Sequence, residues 1–213
     1  MPVQEKGSWL GEGDNHTFMN MLGNGLRAYE VGWYGGWGGR VVSNRKAMNT
    51  SFLPATQDTS ASAMATSLST LTNQLNKSAS ELAYPDFFPQ AQRDFAARLK
   101  WSVTTQYPNA NHEPVVKIEG PLTVLASAGE KIRLNGAVSD PDGNAVSIRW
   151  WQFQVGSYPN KVVISNPNSA QAEVLIPNDA AAGQTIHLIL EAADHGTPSL
   201  TRYQRMIITV RDK

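Results

Sequence analysis

Thr185-Ile186-His187-Leu188-Ile189-Leu190-Glu191-Ala192 sets the fold of the second half of this chain. Ile186, Leu188, Leu190 and Ala192 alternate with Thr185, His187 and Glu191, the period of a strand with one face against a core. The same period recurs on both sides. Ile132, Leu134, Gly136 and Val138 alternate with Lys131, Arg133 and Asn135. Ala172, Val174 and Ile176 alternate with Gln171, Glu173 and Leu175, and Met206, Ile208 and Val210 with Arg205 and Thr209. Turn formers separate these runs: Asp140-Pro141-Asp142-Gly143-Asn144, Asn166-Pro167-Asn168, Pro177-Asn178-Asp179 and Gly196-Thr197-Pro198.

About seven short strands in roughly 100 residues predict an immunoglobulin-like β-sandwich. One strand departs from the pattern. In Val146-Ser147-Ile148-Arg149-Trp150-Trp151-Gln152-Phe153 the apolar parity switches between Trp150 and Trp151. Either a bulge lies there or both faces of the strand are covered. One of the two tryptophans belongs to the core; the other packs against the first part of the chain or offers a surface platform for a glycan.

Composition narrows the function. Among 213 residues, 18 Lys and Arg balance 18 Asp and Glu. No basic stripe is left to neutralise phosphates, which speaks against a nucleic-acid partner. There is no cysteine, so disulfides, thiolate catalysis and cysteine–zinc sites are excluded. No apolar run approaches the roughly 18 residues of a membrane helix, and no basic-then-apolar leader opens the chain.

Two prolines and several small polar residues in Tyr107-Pro108-Asn109-Ala110-Asn111-His112-Glu113-Pro114 read as a boundary. The expected division is residues 1–107, a linker at 108–113, and a sandwich at 114–213. Before the boundary the pattern is mixed. Asp14 or Thr17 can cap a short helix carrying Phe18, Met21 and Leu22, with Gly23 and Gly25 as stops. Met64, Leu68, Leu71 and Leu75 are spaced as a weak helical stripe. Pro89 opens a firm helical pattern through Trp101, in which Ala91, Phe95 and Leu99 form the apolar face and Arg93, Arg98 and Lys100 point away.

Candidate functional residues cluster early. In Gly11-Glu12-Gly13-Asp14-Asn15-His16, two acids flank a glycine. Glu12 and Asp14 read as a sugar- or metal-binding loop or, more simply, as a helix N-cap with a solvated neighbour. His16 could assist a leaving group or stay solvated. Trp33, Tyr34 and Trp37 sit among glycines and serve either as a stacking platform or as packing for the loop. Asp140, Asp142, Asn144 and Asp194 could gather at one end of the sandwich around Ca²⁺; tight-turn chemistry is the simpler explanation. His195 beside Asp194 lacks a nucleophile motif that would make it catalytic.

Gly11-Glu12-Gly13-Asp14, Asn24-Gly25-Leu26, Gly36-Trp37-Gly38-Gly39-Arg40 and Asp94-Phe95-Ala96-Ala97-Arg98-Leu99-Lys100-Trp101 resemble the last third of the nucleoside hydrolase-like domain in a family of bacterial cellulose-binding proteins. Ser139-Asp140-Pro141-Asp142-Gly143 and Ala193-Asp194-His195-Gly196-Thr197-Pro198-Ser199-Leu200-Thr201-Arg202-Tyr203-Gln204-Arg205 are similar to the C-terminal domain of the same proteins. The resemblance implies the tail of a Rossmann-like α/β domain followed by an all-β immunoglobulin- or cadherin-like sandwich. It also implies export to the periplasm or beyond. The expected ligand is a polysaccharide or glycoside, with Asn15, His16, Trp33, Tyr34, Trp37 and Trp151 as candidate contacts read from their side chains. Nucleoside hydrolases hold Ca²⁺ and ribose with an N-terminal aspartate cluster plus a late acidic residue. Carried over, Asp14 is that late residue, both metal ligand and catalytic group, with Glu12 beside it. No aspartate cluster of that kind occurs in this chain, and two acids on one loop cannot supply the six to eight oxygens of a Ca²⁺ site. The chain is therefore expected to be a C-terminal fragment that does not cleave glycosidic bonds alone.

Overall fold

The computed structural model describes residues 18–39 and 85–212. Residues 18–39 and 86–212 lie within one unit that groups Met1–Arg40 with Asp86–Lys213. Eight strands appear among the described residues: β1 (Val115–Ile118), β2 (Thr123–Ser127), β3 (Lys131–Ser139), β4 (Val146–Phe153), β5 (Ile164–Ser165), β6 (Gln171–Leu175), β7 (Thr185–Asp194) and β8 (Thr201–Arg211). They form two four-stranded sheets, ordered β1-β3-β6-β5 and β2-β8-β7-β4. Every pairing is antiparallel except β2 with β8, which is parallel and aligns Thr123 with Ile207.

The period-two residues build the core between the sheets. Leu134, Val174, Ile186, Leu188, Leu190 and Ile208 are fully enclosed there, together with Trp150. Gly136 is small for a reason: a β-carbon on it would fall 2.7 Å from the Leu190 side chain and 3.3 Å from the Trp150 ring. Trp150 fills that space and donates its indole N–H to the Ser169 carbonyl at 3.0 Å, so its polar edge is satisfied although the ring is buried.

The parity switch in β4 is not a bulge. β4 runs in unbroken register along β7, from Val146 opposite Asp194 to Phe153 opposite His187. Trp150 therefore faces the sandwich and Trp151 the opposite side. That opposite side is covered as well, which explains why β7 and β8 are buried along nearly their whole length. Phe87 packs its ring against Trp151, Phe153 and Tyr203 at centroid distances of 6.4, 6.0 and 5.9 Å. Tyr34 meets His187 edge-on at 5.0 Å.

The covering layer is made by residues 18–39 and by α1 (Phe88–Val103). The Asn24 carbonyl accepts the Tyr203 N–H at 2.9 Å, so this segment continues hydrogen bonding along the edge of β8. Asn24 holds its own turn through its side chain, which accepts the Leu26 N–H at 3.0 Å. Leu26 is then driven inward and is fully buried.

Two expectations need correction. The Rossmann-like α/β tail is not what the described residues form: every strand among them belongs to the two sandwich sheets. Their helical content is a turn at 18–21, two short 3-10 turns and α1. The motifs at 24–26 and 36–39 make coil and an isolated bridge between Gly36 and Gly39, laid on a β-sheet rather than built into an α/β layer. The second correction is the face of α1. Ala91, Asp94 and Ala97 are buried, whereas Phe95 and Leu99 stand more than half exposed. Small side chains let the helix backbone come close to its support. Asp94 is drawn in because its carboxylate bonds the buried Arg202 at 2.7 Å while its other oxygen takes Arg98 at 2.6 Å. The helical turn at 18–21 carries Phe18 and Met21 as expected, and both are more than 60 % exposed. The weak stripe Met64, Leu68, Leu71 and Leu75 lies outside the described residues.

Candidate functional site

The end of the sandwich formed by the β3–β4 and β7–β8 loops opens into a groove of about 600 Å³. Its walls come from four parts of the chain. The C-terminal half of α1 gives Lys100, and the stretch after it gives Tyr107, Pro108, Asn109, Ala110 and Asn111. The β3–β4 loop gives Pro141, Asp142 and Asn144, and the β7–β8 loop gives His195, Gly196 and Thr197.

The loops are fixed by local chemistry. Asp140 accepts the N–H groups of Asp142 and Asn144, each at 2.9 Å, the Asx-turn habit of aspartate. Gly143 adopts φ +77 to close that turn. In the β7–β8 loop, buried Asp194 accepts the N–H groups of Gly196 and Leu200 on one oxygen, both at 2.9 Å. Its other oxygen takes the Asn111 amide at 2.9 Å. The same Asn111 donates to the Pro198 carbonyl at 2.9 Å and accepts from the Asn144 amide at 2.8 Å. One buried side chain thus ties three walls of the groove together. Gly196 is required beside it, since a β-carbon there would fall 2.0 Å from the Asn111 side-chain oxygen. The peptide bond Thr197–Pro198 is cis.

Asp194→Asn replaces one acceptor with a donor facing N–H groups. It is expected to cost about 2 kcal/mol, read as a lowered thermal midpoint and denaturant midpoint; an unchanged midpoint would contradict the central position given to this carboxylate.

Tyr107 lines the groove and is backed by further rings. The His112 ring lies parallel to Tyr107, 3.5 Å between centroids and 1° between planes. It is also parallel to Trp101, at 5.6 Å and 5°. Trp101 is anchored by its indole N–H, which donates to the Asn111 carbonyl at 2.7 Å, and Arg98 lies over its ring at 5.5 Å. His112 is set by Asp142, whose carboxylate accepts the His112 backbone N–H at 2.6 Å and faces Nδ1 at 3.1 Å. A carboxylate only accepts, so Nδ1 carries a hydrogen. Tyr107 remains 56 % exposed. Partial burial, then the carboxylates of Asp142, Glu113 and Asp140, push its phenol pKa upward, so the hydroxyl stays protonated at neutral pH. At the β4 end of the groove Ser147 Oγ lies 2.8 Å from His195 Nε2.

The residues singled out in the sequence are scattered. Glu12, Asp14, Asn15 and His16 lie outside the described residues. Trp33 is 65 % exposed. Tyr34 packs on His187, and its carbonyl accepts Arg205 at 3.0 Å. Trp37 is buried, edge-on to Tyr203 at 6.4 Å. Trp151 lines a separate depression of about 210 Å³ with Gln152, Gln154, Lys161, Val162 and Ile164, and its indole N–H donates to Glu191 at 2.8 Å. Asp140, Asp142 and Asp194 sit at one end of the sandwich, but each carboxylate already accepts N–H donors. Among the described residues no three His, Asp or Glu side chains gather where one ion could reach them. Trp101, Tyr107, Asn109 and His112 were not recognised from sequence. Their one signal is three rings within twelve residues at the point where the helix period gives way to the strand period.

Residues 131–210 match the family described as "Cellulose-binding protein Sde0182, C-terminal domain". A solved nucleoside hydrolase-related hypothetical protein from Saccharophagus degradans, associated with carbohydrate metabolism, is similar over 96 % of this chain, with 28 % identity and a TM-score of 0.69. The chain spans 49 % of the length of that structure. Domains 4 and 5 of the S-layer protein SbsC align over 47 % of this chain and 54 % of theirs, with 16 % identity and a TM-score of 0.32. The PKD domain of the KIAA 1837 protein aligns over 43 % of this chain and 81 % of its own, with 18 % identity and a TM-score of 0.30. No curated protein matches the chain. Strands β3 to β8 thus carry the likeness to a cellulose-binding protein's C-terminal domain.

Proposed function

We propose that this chain is a polysaccharide-binding part of a larger exported protein that acts on plant-wall carbohydrate. The observation that carries the reading is the match of residues 131–210, nearly the whole run from β3 to β8, to the C-terminal domain of a cellulose-binding protein. The likeness over 96 % of the chain to a protein associated with carbohydrate metabolism supports it. The geometry is compatible: a doubly covered sheet gives a rigid body, and loops at one end open into a groove of mixed aromatic and amide character. Such lining suits a neutral polyhydroxylated ligand better than a lipid or a polyanion. An insoluble glucan cannot enter a cell, which places the working site outside the cytoplasm. The reading assigns binding to this chain and no bond cleavage.

The test is retention on solid glycans. The intact chain, mixed with microcrystalline cellulose, insoluble xylan and cross-linked dextran, is expected to leave the supernatant with the β-linked polymers and remain with dextran. A chain that stays soluble with all three would overturn the proposal.

A further inference from the structure

We infer that the groove beside Tyr107 is the glycan site, with the Tyr107 ring as the platform for one pyranose of a neutral β-linked chain. The inference rests on the proposed carbohydrate binding and adds the place and the class of ligand.

A β-linked pyranose with equatorial hydroxyls has two flat faces of axial C–H groups and a polar rim. Its recognition needs a fixed aromatic face and hydrogen-bonding groups around it. Tyr107 supplies the ring. An exposed ring normally spends conformational entropy on being held, but here it lies flat against His112 at 3.5 Å. His112 is in turn held by Asp142 through both backbone and ring. The platform is thereby set before ligand arrives, which removes a cost of binding. A ring with one face on His112 and more than half of its surface exposed keeps its other side for a sugar.

Around it the groove sets Asn109, Asn144, Asp142, His195 and Lys100. Amide and carboxylate groups can each bridge neighbouring hydroxyls. One ammonium and one carboxylate on opposite segments give no net field for an anion, so a uronic acid polymer is disfavoured against a neutral one. The groove is an open channel rather than a closed cavity, so it accepts the interior of a chain as well as its end. Trp151 lines the smaller depression of about 210 Å³, but it is only partly exposed and ties its indole N–H to Glu191.

The experiment titrates cellohexaose into the intact chain by calorimetry and follows amide chemical shifts, alongside retention on cellulose. Tyr107→Ala is expected to weaken cellohexaose binding at least about tenfold, and Tyr107→Phe to keep most of it. Shifts are expected at residues 107–112, 142–144 and 195–197. If Tyr107→Ala melts early, the shift map of the unaltered chain and Asn109→Ala, an exposed groove residue, decide instead. Retention of the unaltered chain on cellulose, with Tyr107→Ala and Asn109→Ala binding equally well or Trp33→Ala alone losing binding, would overturn the groove while leaving the proposed function intact. An unaltered chain that binds neither cellohexaose nor cellulose would overturn both.

Discussion

Gly25→Ala is expected to cost more than about 4 kcal/mol and to lift residues 18–39 off the sheet. Two effects add. Gly25 adopts φ +92, a conformation that an L side chain reaches only under strain. A β-carbon there would also sit 1.6 Å from the Tyr203 carbonyl oxygen, far inside contact distance and against backbone that cannot turn away. The adjacent hydrogen bond from the Tyr203 N–H to the Asn24 carbonyl fixes the approach, so relief requires breaking it. Trp37 and Tyr34 follow, because they reach Tyr203 and His187 from the same segment. Gly23→Ala is the matched control: nothing lies within 4 Å of its added carbon, and its cost should stay below about 1 kcal/mol. Thermal melts with near-ultraviolet circular dichroism read both. Equal midpoints for the two variants would show that the segment does not seat on β8 as described.

Acid should destabilise the protein steeply through one histidine. His187 is buried on the covered face of β7, and burial first, then the positive charges of Arg205 and Arg27, lower its pKa from the ordinary 6.5 to about 3. It is therefore neutral, and its Nδ1 accepts from the Arg205 guanidinium at 3.2 Å. The unfolded chain takes up a proton near pH 6.5 while the folded protein refuses it until about pH 3. Stability is full above pH 6.5 and falls as pH drops through that window. The loss reaches about 2 kcal/mol at pH 5 and up to about 5 kcal/mol near pH 3. That is a large share of a typical domain's 5–15 kcal/mol. His187→Gln keeps an acceptor and removes the proton site. Its melting temperature should fall less between pH 7 and pH 4 than that of the unaltered chain; parallel curves would reject the account.

Arg205 shows why the covering layer is specific. It is fully buried, and its guanidinium donates to the Tyr34 and Gly35 carbonyls at 3.0 and 2.9 Å. It also lies over the Phe153 ring at 5.0 Å. Its fork meets a turn that leaves two carbonyls facing one way, which the φ of +66 at Gly35 permits.

The sandwich was legible because its strands repeat every two residues and its turns carry Asp, Asn, Gly and Pro. The covered outer face was legible only as a pair of alternatives, in the adjacent Trp150 and Trp151. His187 and Arg205 looked like solvent-facing positions by period, and what covers them is a segment around Tyr34, far earlier in the chain. The face of α1 was misread for a related reason. Hydrophobicity favoured Phe95 and Leu99, whereas close approach favoured Ala91 and Ala97, and Asp94 turned inward for an arginine 108 residues away. The α/β expectation came from resemblance rather than from any strand–helix alternation in residues 18–39. The groove was hidden because its rings and amides come from α1, the stretch after it and two distant loops, each ordinary alone.

A sheet wrapped on both sides has no spare surface at which to be cut free. Shortening the chain to begin at residue 114 would remove Phe87, Tyr34 and Trp37 together and wet Tyr203, Ile207 and the Arg205 guanidinium at once. It would also take Asn111 from Asp194, Tyr107 from the rim, and with them the groove. Anyone wishing to move the grooved end of this protein onto another scaffold would have to transplant the helix and the glycine-rich segment along with the strands.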